Sequence, residues 1–218
     1  VNLLPINDNA VHFVIITWTN DGGVFELIID GMLQSSLSGI ETNGKISGQR
    51  RFIFGSNFYD HFHNLNVWDK VLSDEMLYMM TAQPGDEPGN VVAWKDFKKP
   101  ANIPDEEVIM LPKLFNFRVC SIGTNQMKMR FTEPFPAYIE TNDGCCQSRK
   151  AITLTMWLAL QRLTVTLFSI PSANGDNPSM MLRILSDEII TLYFRKENAR
   201  LVTLDISRPL TYLNNFQM

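Results

Sequence analysis

The sequence is poor in the residues from which chemistry is usually read. It holds 3 cysteines and 3 histidines in 218 residues, and its formal net charge is -4. Cys145 and Cys146 are adjacent. Neighbouring cysteines rarely pair with each other because the peptide between them must distort, so the set allows at most one bridge, to Cys120. No C-x-x-C spacing with histidines nearby is present, which excludes the common zinc frameworks. The charge balance leaves no electrostatic footprint for nucleic acid or an anionic membrane. Lys98-Lys99 and Arg149-Lys150 read as solvated loop positions, not as phosphate cradles. No run of about 18 apolar residues occurs, so nothing in this segment reads as inserted in a membrane. Asn177-Pro178-Ser179 is ruled out as a glycosylation acceptor by its proline.

What is present is the composition of a folded globular chain, 45% hydrophobic and 19% charged, with an all-β pattern. Val11 to Trp18 is apolar on both faces, as for a strand inside a sheet that is covered on both sides. Asn20-Asp21-Gly22-Gly23 tolerates the positive φ of a tight hairpin, Val24 to Asp30 is the partner strand, and Asp30-Gly31 is the next turn. Gln34 to Gln49 reads as a surface loop or weak edge strand. Short strands follow at Arg51 to Gly55 and His63 to Trp68. Ser73 is an N-cap with Asp74 and Glu75 in the first turn, predicting a helix to about Ala82 whose Met76, Leu77 and Met80 face the sandwich. A Gly89-Asn90 pair then restarts a strand over Val91 to Trp94. Pro100 to Glu107 is polar and proline-punctuated, so Asp105-Glu106-Glu107 reads as solvated linker.

After Phe115 the pattern restarts. Ala137 to Glu140 reads as a strand, and Ile152 to Leu158 as one with Ile152, Leu154, Met156 and Leu158 on its buried face. Thr164 to Ser169, Met180 to Leu185, Ile189 to Phe194 and Leu201 to Ile206 follow at the spacing of an antiparallel β-protein. The fold class is an all-β, two-sheet antiparallel β-sandwich, a jelly roll with one short helix.

The phrases Val11-His12-Phe13-Val14-Ile15-Ile16-Thr17-Trp18, Ile29-Asp30-Gly31, Asn64-Leu65-Asn66-Val67-Trp68-Asp69-Lys70-Val71-Leu72-Ser73, Gly89-Asn90-Val91-Val92-Ala93-Trp94 and Glu107 to Phe115 together resemble the second half of a pentraxin domain, a concanavalin A-like sandwich. Phe131 to Gln217 resembles the first half of the same domain by strand order and by the loop Asn174-Gly175-Asp176-Asn177. The resemblance divides the chain into 1–115, a C-terminal half-domain; 116–130, a linker; and 131–218, an N-terminal half-domain. Either the chain holds the end of one domain and the start of the next in a tandem array, or the halves close on each other as a permuted sandwich.

The resemblance implies an extracellular, lectin-like module, often in cyclic oligomers, whose relatives bind phosphocholine or carbohydrate through a pair of calcium ions. Asp176 and Asn177 occupy the position of an Asp-Asn pair that ligates calcium in that family, and they are the candidate metal ligands here. Two features depart from the pattern. The family's Glu-Gln-Asp calcium loop has no counterpart after Gly55, and Asn57 and Asp60 alone cannot supply the six to eight oxygens that calcium takes. The inter-sheet disulfide is missing, Ile15 and Thr155 standing at its two positions.

The function expected is therefore recognition or adhesion without catalysis, with glycan, phosphocholine-like or protein ligands and a calcium dependence lost or weakened. One rival is a carbohydrate-active enzyme, for which Asp187-Glu188 is the nearest carboxylate pair, although it reads as a hairpin turn. The other is a structural spacer without a ligand. His61 and His63 alternate on one strand and could share a metal, but read as a loop residue and a packed residue.

Overall fold

The computed structural model describes residue 6 and residues 10–46, 53–56, 61–82, 87–94, 129–130, 149–160, 165–171, 178–186, 189–195 and 201–205. Among them the chain order is β1 (His12–Thr19), β2 (Val24–Ile29), β3 (Met32–Leu37), β4 (Ile53–Ser56), β5 (His61–Trp68), α1 (Asp74–Ala82), β6 (Met129–Arg130), β7 (Ala151–Ala159), β8 (Val165–Pro171), β9 (Pro178–Ser186), β10 (Ile189–Arg195) and β11 (Leu201–Asp205). The strands form two antiparallel sheets, a six-stranded one in the order β3-β2-β1-β7-β5-β6 and a five-stranded one in the order β11-β10-β9-β8-β4. Strands from both parts of the chain share both sheets.

The first hairpin follows from its turn chemistry. Gly22 and Gly23 carry φ of 66° and 61°, and Asp30 and Gly31 carry 51° and 77°, a region that glycine enters freely and aspartate tolerates. Gly23 is also required by packing, because a Cβ there would lie 2.6 Å from the backbone N and O of Ile40. Asp30 holds the other end of the hairpin. Its carboxylate accepts the Phe13 N–H at 2.8 Å and meets Nδ1 of the buried His12 at 2.7 Å.

The core lies between the sheets. Val14, Ile16 and Trp18 of β1, Phe25, Leu27 and Ile29 of β2, and Leu154 and Met156 of β7 face Phe168, Met180, Leu182, Leu192 and Phe194 of the other sheet. Trp18 and Phe194 meet across the interface with ring centroids 5.2 Å apart. The Trp18 indole N–H donates to the Ile40 carbonyl at 3.0 Å, so this ring spans the sandwich without stranding its polar atom.

The other face of the six-stranded sheet is covered by α1. Ser73 caps the helix: its Oγ accepts the Met76 N–H at 3.4 Å, and its carbonyl accepts the first helical bond, from Leu77, at 2.9 Å. Leu77 and Met80 then pack with Leu72 on Phe13, Ile15, Trp68 and Trp157. This second layer explains why β1 and β7 are buried on both faces. For β1 that was the expectation. For β7 a single buried face was expected, and instead Ile152 to Leu158 are all buried. Thr153 can be buried because its hydroxyl is satisfied twice, donating to the Lys70 carbonyl at 2.7 Å and accepting the Leu72 N–H at 3.1 Å.

Several local expectations change. Val91 to Trp94 is not a strand but makes one bridge, Val67 with Val92, because the Asn66 carboxamide takes the N–H groups of Gly89 and Trp94, each at 3.1 Å. Gly89 cannot be replaced there, since a Cβ would collide with the backbone of Val67 and Val92. The weak edge strand begins earlier, at Met32, and only its continuation to Ile46 is loop. Ile15 and Thr155 are direct partners on adjacent strands of one sheet, so a bridge at these positions would lie within a sheet and not between sheets. Met129–Arg130, inside the expected linker, pairs with His61 and Phe62. Arg149 is not a solvated loop residue: it bridges with Ile46 and places Nη1 3.2 Å from the Asp69 carboxylate. The expected strand Ala137 to Glu140, the acidic stretch Asp105-Glu106-Glu107 and Cys120, Cys145 and Cys146 lie outside the described residues.

Thr153→Val keeps the shape of the side chain and removes both hydrogen bonds that join β7 to the turn before α1. It is expected to cost about 1–3 kcal/mol. Thermal unfolding followed by circular dichroism should show a Tm lowered by several degrees, roughly 2–4 °C per kcal/mol at this chain length. An unchanged Tm would remove Thr153 from the forces that hold the helix layer.

Candidate functional site

The residues singled out in the sequence are not gathered into one place. Asp176 and Asn177 lie outside the described residues, but the strand ends that flank them are fixed. Pro171 and Pro178, the described residues on either side of them, are partners at one end of the antiparallel β8–β9 pair. Asp187 and Glu188 also lie outside the described residues; the residues on either side of them, Ser186 and Ile189, are partners of the antiparallel β9–β10 pair. β4 runs antiparallel to β8 with Ser56 opposite Thr166. The chain therefore leaves β4 toward Asn57 near the start of β8, and leaves β8 toward Asp176 at its far end, roughly 17 Å away at the rise of a strand. The strand ends leading to the two oxygen-bearing groups are separated by most of the sheet's height.

The histidines follow the strand pattern. His61 pairs with Ala159 and His63 with Trp157, and the His63 ring lies 5.7 Å from that of Trp94. Among the described residues no group of three or more His, Cys, Asp or Glu gathers to hold a metal ion. The Asp69 cluster joins loops: Asn90 Nδ2 donates to its carboxylate at 2.6 Å, the Asp69 N–H donates to Asn90 Oδ1 at 3.1 Å, and Arg149 completes it. Asn66 is similarly committed, since besides its two acceptor bonds its Nδ2 donates to the Asn64 side chain at 2.9 Å and to the Asn64 carbonyl at 3.2 Å. These groups hold the β5 bulge, where Asn64 has a φ of 51°, against residues 87–94.

The outer face of the five-stranded sheet is different. β9 is its middle strand, and alternation sends Met180, Leu182 and Ile184 into the core and Met181 and Arg183 outward. Register places Arg183 between Thr166 of β8 and Thr191 of β10, and Met181 between Ser169 and Tyr193. Thr166, Ser169 and Thr191 are buried, while Met181, Arg183 and Tyr193 remain partly exposed. Arg183 Nε is withdrawn from water and has no hydrogen-bond partner. A half-buried guanidinium with an unsatisfied donor costs stability, and here it stands in a row of hydroxyls on the face that α1 does not cover. The partly exposed guanidinium, with the Tyr193 hydroxyl on the neighbouring strand, can take a carboxylate, sulfate or phosphate oxygen. The sequence reading passed over Arg183. The signal available was one cation at an outward position of an otherwise apolar central strand.

No protein-family model matches this chain, and no solved structure does. Two curated proteins are similar to part of it: a rat protein named for its sushi, von Willebrand factor type A, EGF and pentraxin domains, 32% identical over 111 residues, and the mouse protein of the same name, 31% identical over 111 residues. In both cases the match covers 44% of this chain, and the chain spans 3% of the length of these relatives. The similarity to proteins that carry a pentraxin domain, together with the sandwich, fits a non-catalytic module. No helix among the described residues is long and apolar enough to cross a membrane.

If Arg183 serves a ligand and not the fold, Arg183→Met should leave stability unchanged or raise it. Its aliphatic stem is replaced by a side chain of similar reach, and an unsatisfied buried donor is removed. Tm measured by scanning calorimetry should rise by up to a few degrees. A fall equivalent to more than about 2 kcal/mol would instead place the guanidinium among the structural groups.

Proposed function

We propose that this chain is a non-catalytic recognition module of pentraxin type, carried in a larger extracellular protein, that binds an acidic glycan on the outer face of its five-stranded sheet. The observation that carries this reading is Arg183, whose Nε is buried without a partner, between the hydroxyl residues Thr166 and Thr191. Sulfate or carboxylate groups match the partly exposed guanidinium, and sugar hydroxyls match the partly exposed Tyr193. The partial similarity to proteins named for a pentraxin domain supports the module type.

In this reading calcium is not required. The Asp176-Asn177 pair is kept in the sequence, while the chain leaves β4 at the other end of β8 and without the family's Glu-Gln-Asp sequence. Calcium affinity rests on the number of charged oxygens brought together, and one Asp with one amide is a weak set. The module thus retains the scaffold and shifts recognition from a metal to a side-chain cation.

The test is binding of the purified chain to a panel of sulfated and neutral glycans, in calcium and in EDTA, with thermal unfolding in parallel. Sulfated glycans should bind equally in both buffers. Arg183→Met should weaken them at least about tenfold, equivalent to roughly 1.4 kcal/mol. Millimolar calcium should leave Tm unchanged in both the wild-type chain and Asp176→Ala. A calcium-dependent rise in Tm of several degrees, lost in Asp176→Ala, would restore metal-dependent recognition. Binding to no glycan in either buffer would favour the spacer reading.

A further inference from the structure

Arg183 shares its face with an aromatic ring. On β10, Leu192 and Phe194 face the core, so Tyr193 between them faces outward. It is partly exposed, as is Met181, its direct partner on β9. Because Arg183 is paired with Thr191, Tyr193 stands diagonal to it, at the separation of about 7–8 Å over which long and aromatic side chains on neighbouring strands still act together. Pairing around Tyr193 is regular, with Leu192, Tyr193 and Phe194 opposite Leu182, Met181 and Met180. Near Arg183 it is irregular on both sides: β8 carries an extra residue between Thr166 and Phe168, and β9 carries one between Ile184 and Ser186. The extra β8 residue, Leu167, is buried in the core with Phe168, which sets the outward Thr166 and Ser169 three residues apart. Bulges bend a strand, strengthen its twist and often stand beside sites, where they re-aim side chains. The face therefore has a twisted end with a cation and a regular end with an aromatic ring.

We infer that Tyr193, flanked by Met181, is a ring-stacking subsite, and that with Arg183 it sets the ligand class of this face: a glycan whose sulfate or carboxylate lies on, or one residue from, a pyranose with an open C–H face. This subsite rests on the reading of Arg183 as the anion site of an acidic glycan. A pyranose carries several C–H bonds on one side of its ring, and their weakly positive hydrogens are drawn to the negative face of an aromatic ring. Methionine beside that ring adds an adaptable apolar edge. A free inorganic anion, or an acidic chain without sugar rings, can use Arg183 alone. A glycan that carries the two groups close together uses both, and the short diagonal disfavours ligands whose charge and open ring face are several residues apart.

The test measures binding of the full chain to two probes: a sulfated glycosaminoglycan tetrasaccharide, and polyvinyl sulfate, a polyanion without sugar rings. Tyr193→Leu should bind the tetrasaccharide about three- to tenfold more weakly. Tyr193→Phe should bind it as the unchanged chain does, both variants should bind polyvinyl sulfate unchanged, and Arg183→Met should weaken both probes. Equal loss of both probes in Tyr193→Leu would overturn the subsite, since the tyrosine would then act only by supporting Arg183. A loss in Tyr193→Phe as large as in Tyr193→Leu would also overturn it, by assigning the contact to the hydroxyl. Tetrasaccharide binding that Arg183→Met weakens and Tyr193→Leu does not would overturn the stacking and leave the anion site standing. Binding of neither probe, or binding indifferent to Arg183→Met, would remove the anion site and the subsite together. The Met181 methyl resonance, assigned by comparison with Met181→Leu, needs no change at Tyr193. It should shift with the tetrasaccharide and stay in place with polyvinyl sulfate, and a resonance indifferent to the tetrasaccharide would count against the subsite.

Discussion

β7 is the strand on which the rest of the sandwich depends. It is paired along both edges and buried on both faces, so backbone pairing, apolar packing and side-chain hydrogen bonds all meet on it. Its inward residues Leu154 and Met156 join the core against the other sheet. Its outward Trp157 stacks against Phe13, with ring centroids 4.7 Å apart, beneath α1. Thr153, between these layers, fixes the turn from which the helix starts. The position of α1 is thus set by a strand more than sixty residues later in the chain, and the helix in turn closes the sheet against water.

The same arrangement separates the two outer faces. One is sealed by α1 and is apolar, built on Phe13, Ile15, Trp68 and Trp157. The other carries threonine, serine, tyrosine and arginine and stays partly open. In a two-layer sandwich the inner faces are committed to packing, which leaves the outer faces for chemistry. With one of them covered by the helix, the outer face of the five-stranded sheet is the one that the proposed recognition would use.

Much of the fold was legible because it rests on local rules. The positive-φ residues of Asn20-Asp21-Gly22-Gly23 and Asp30-Gly31, the Ser73 cap and the two-sided apolar run of β1 each carry their structure in a few neighbouring residues. What was not legible depends on partners far along the chain. Thr153 and Thr155 alternate with Ile152, Leu154 and Met156, and by pattern they face water. Thr153 is buried because residues near position 70 satisfy its hydroxyl. Val91 to Trp94 has the composition of a strand, and it fails to become one because the Asn66 carboxamide takes two of its neighbourhood's amide groups. The candidate site was harder still. A lone arginine in a strand acquires meaning only when register puts Thr166 and Thr191 on either side and leaves Nε without a partner, while the Asp-Asn pair found by resemblance lies beyond the described residues.

The order of strands also sets a condition on how the protein is made. β1 and β5 are complete once Trp68 has been synthesised, but the strand that separates them ends at Ala159. At the usual pace of 5–20 residues per second, the interval is on the order of ten seconds. During that time two apolar strand edges wait for their partner, and pairing them early with each other would give a sheet with the wrong neighbours. Long-range pairing of this kind slows folding and favours misassembly. Synthesis of this chain should therefore lean on chaperones that hold the edges of β1 and β5 apart until β7 emerges.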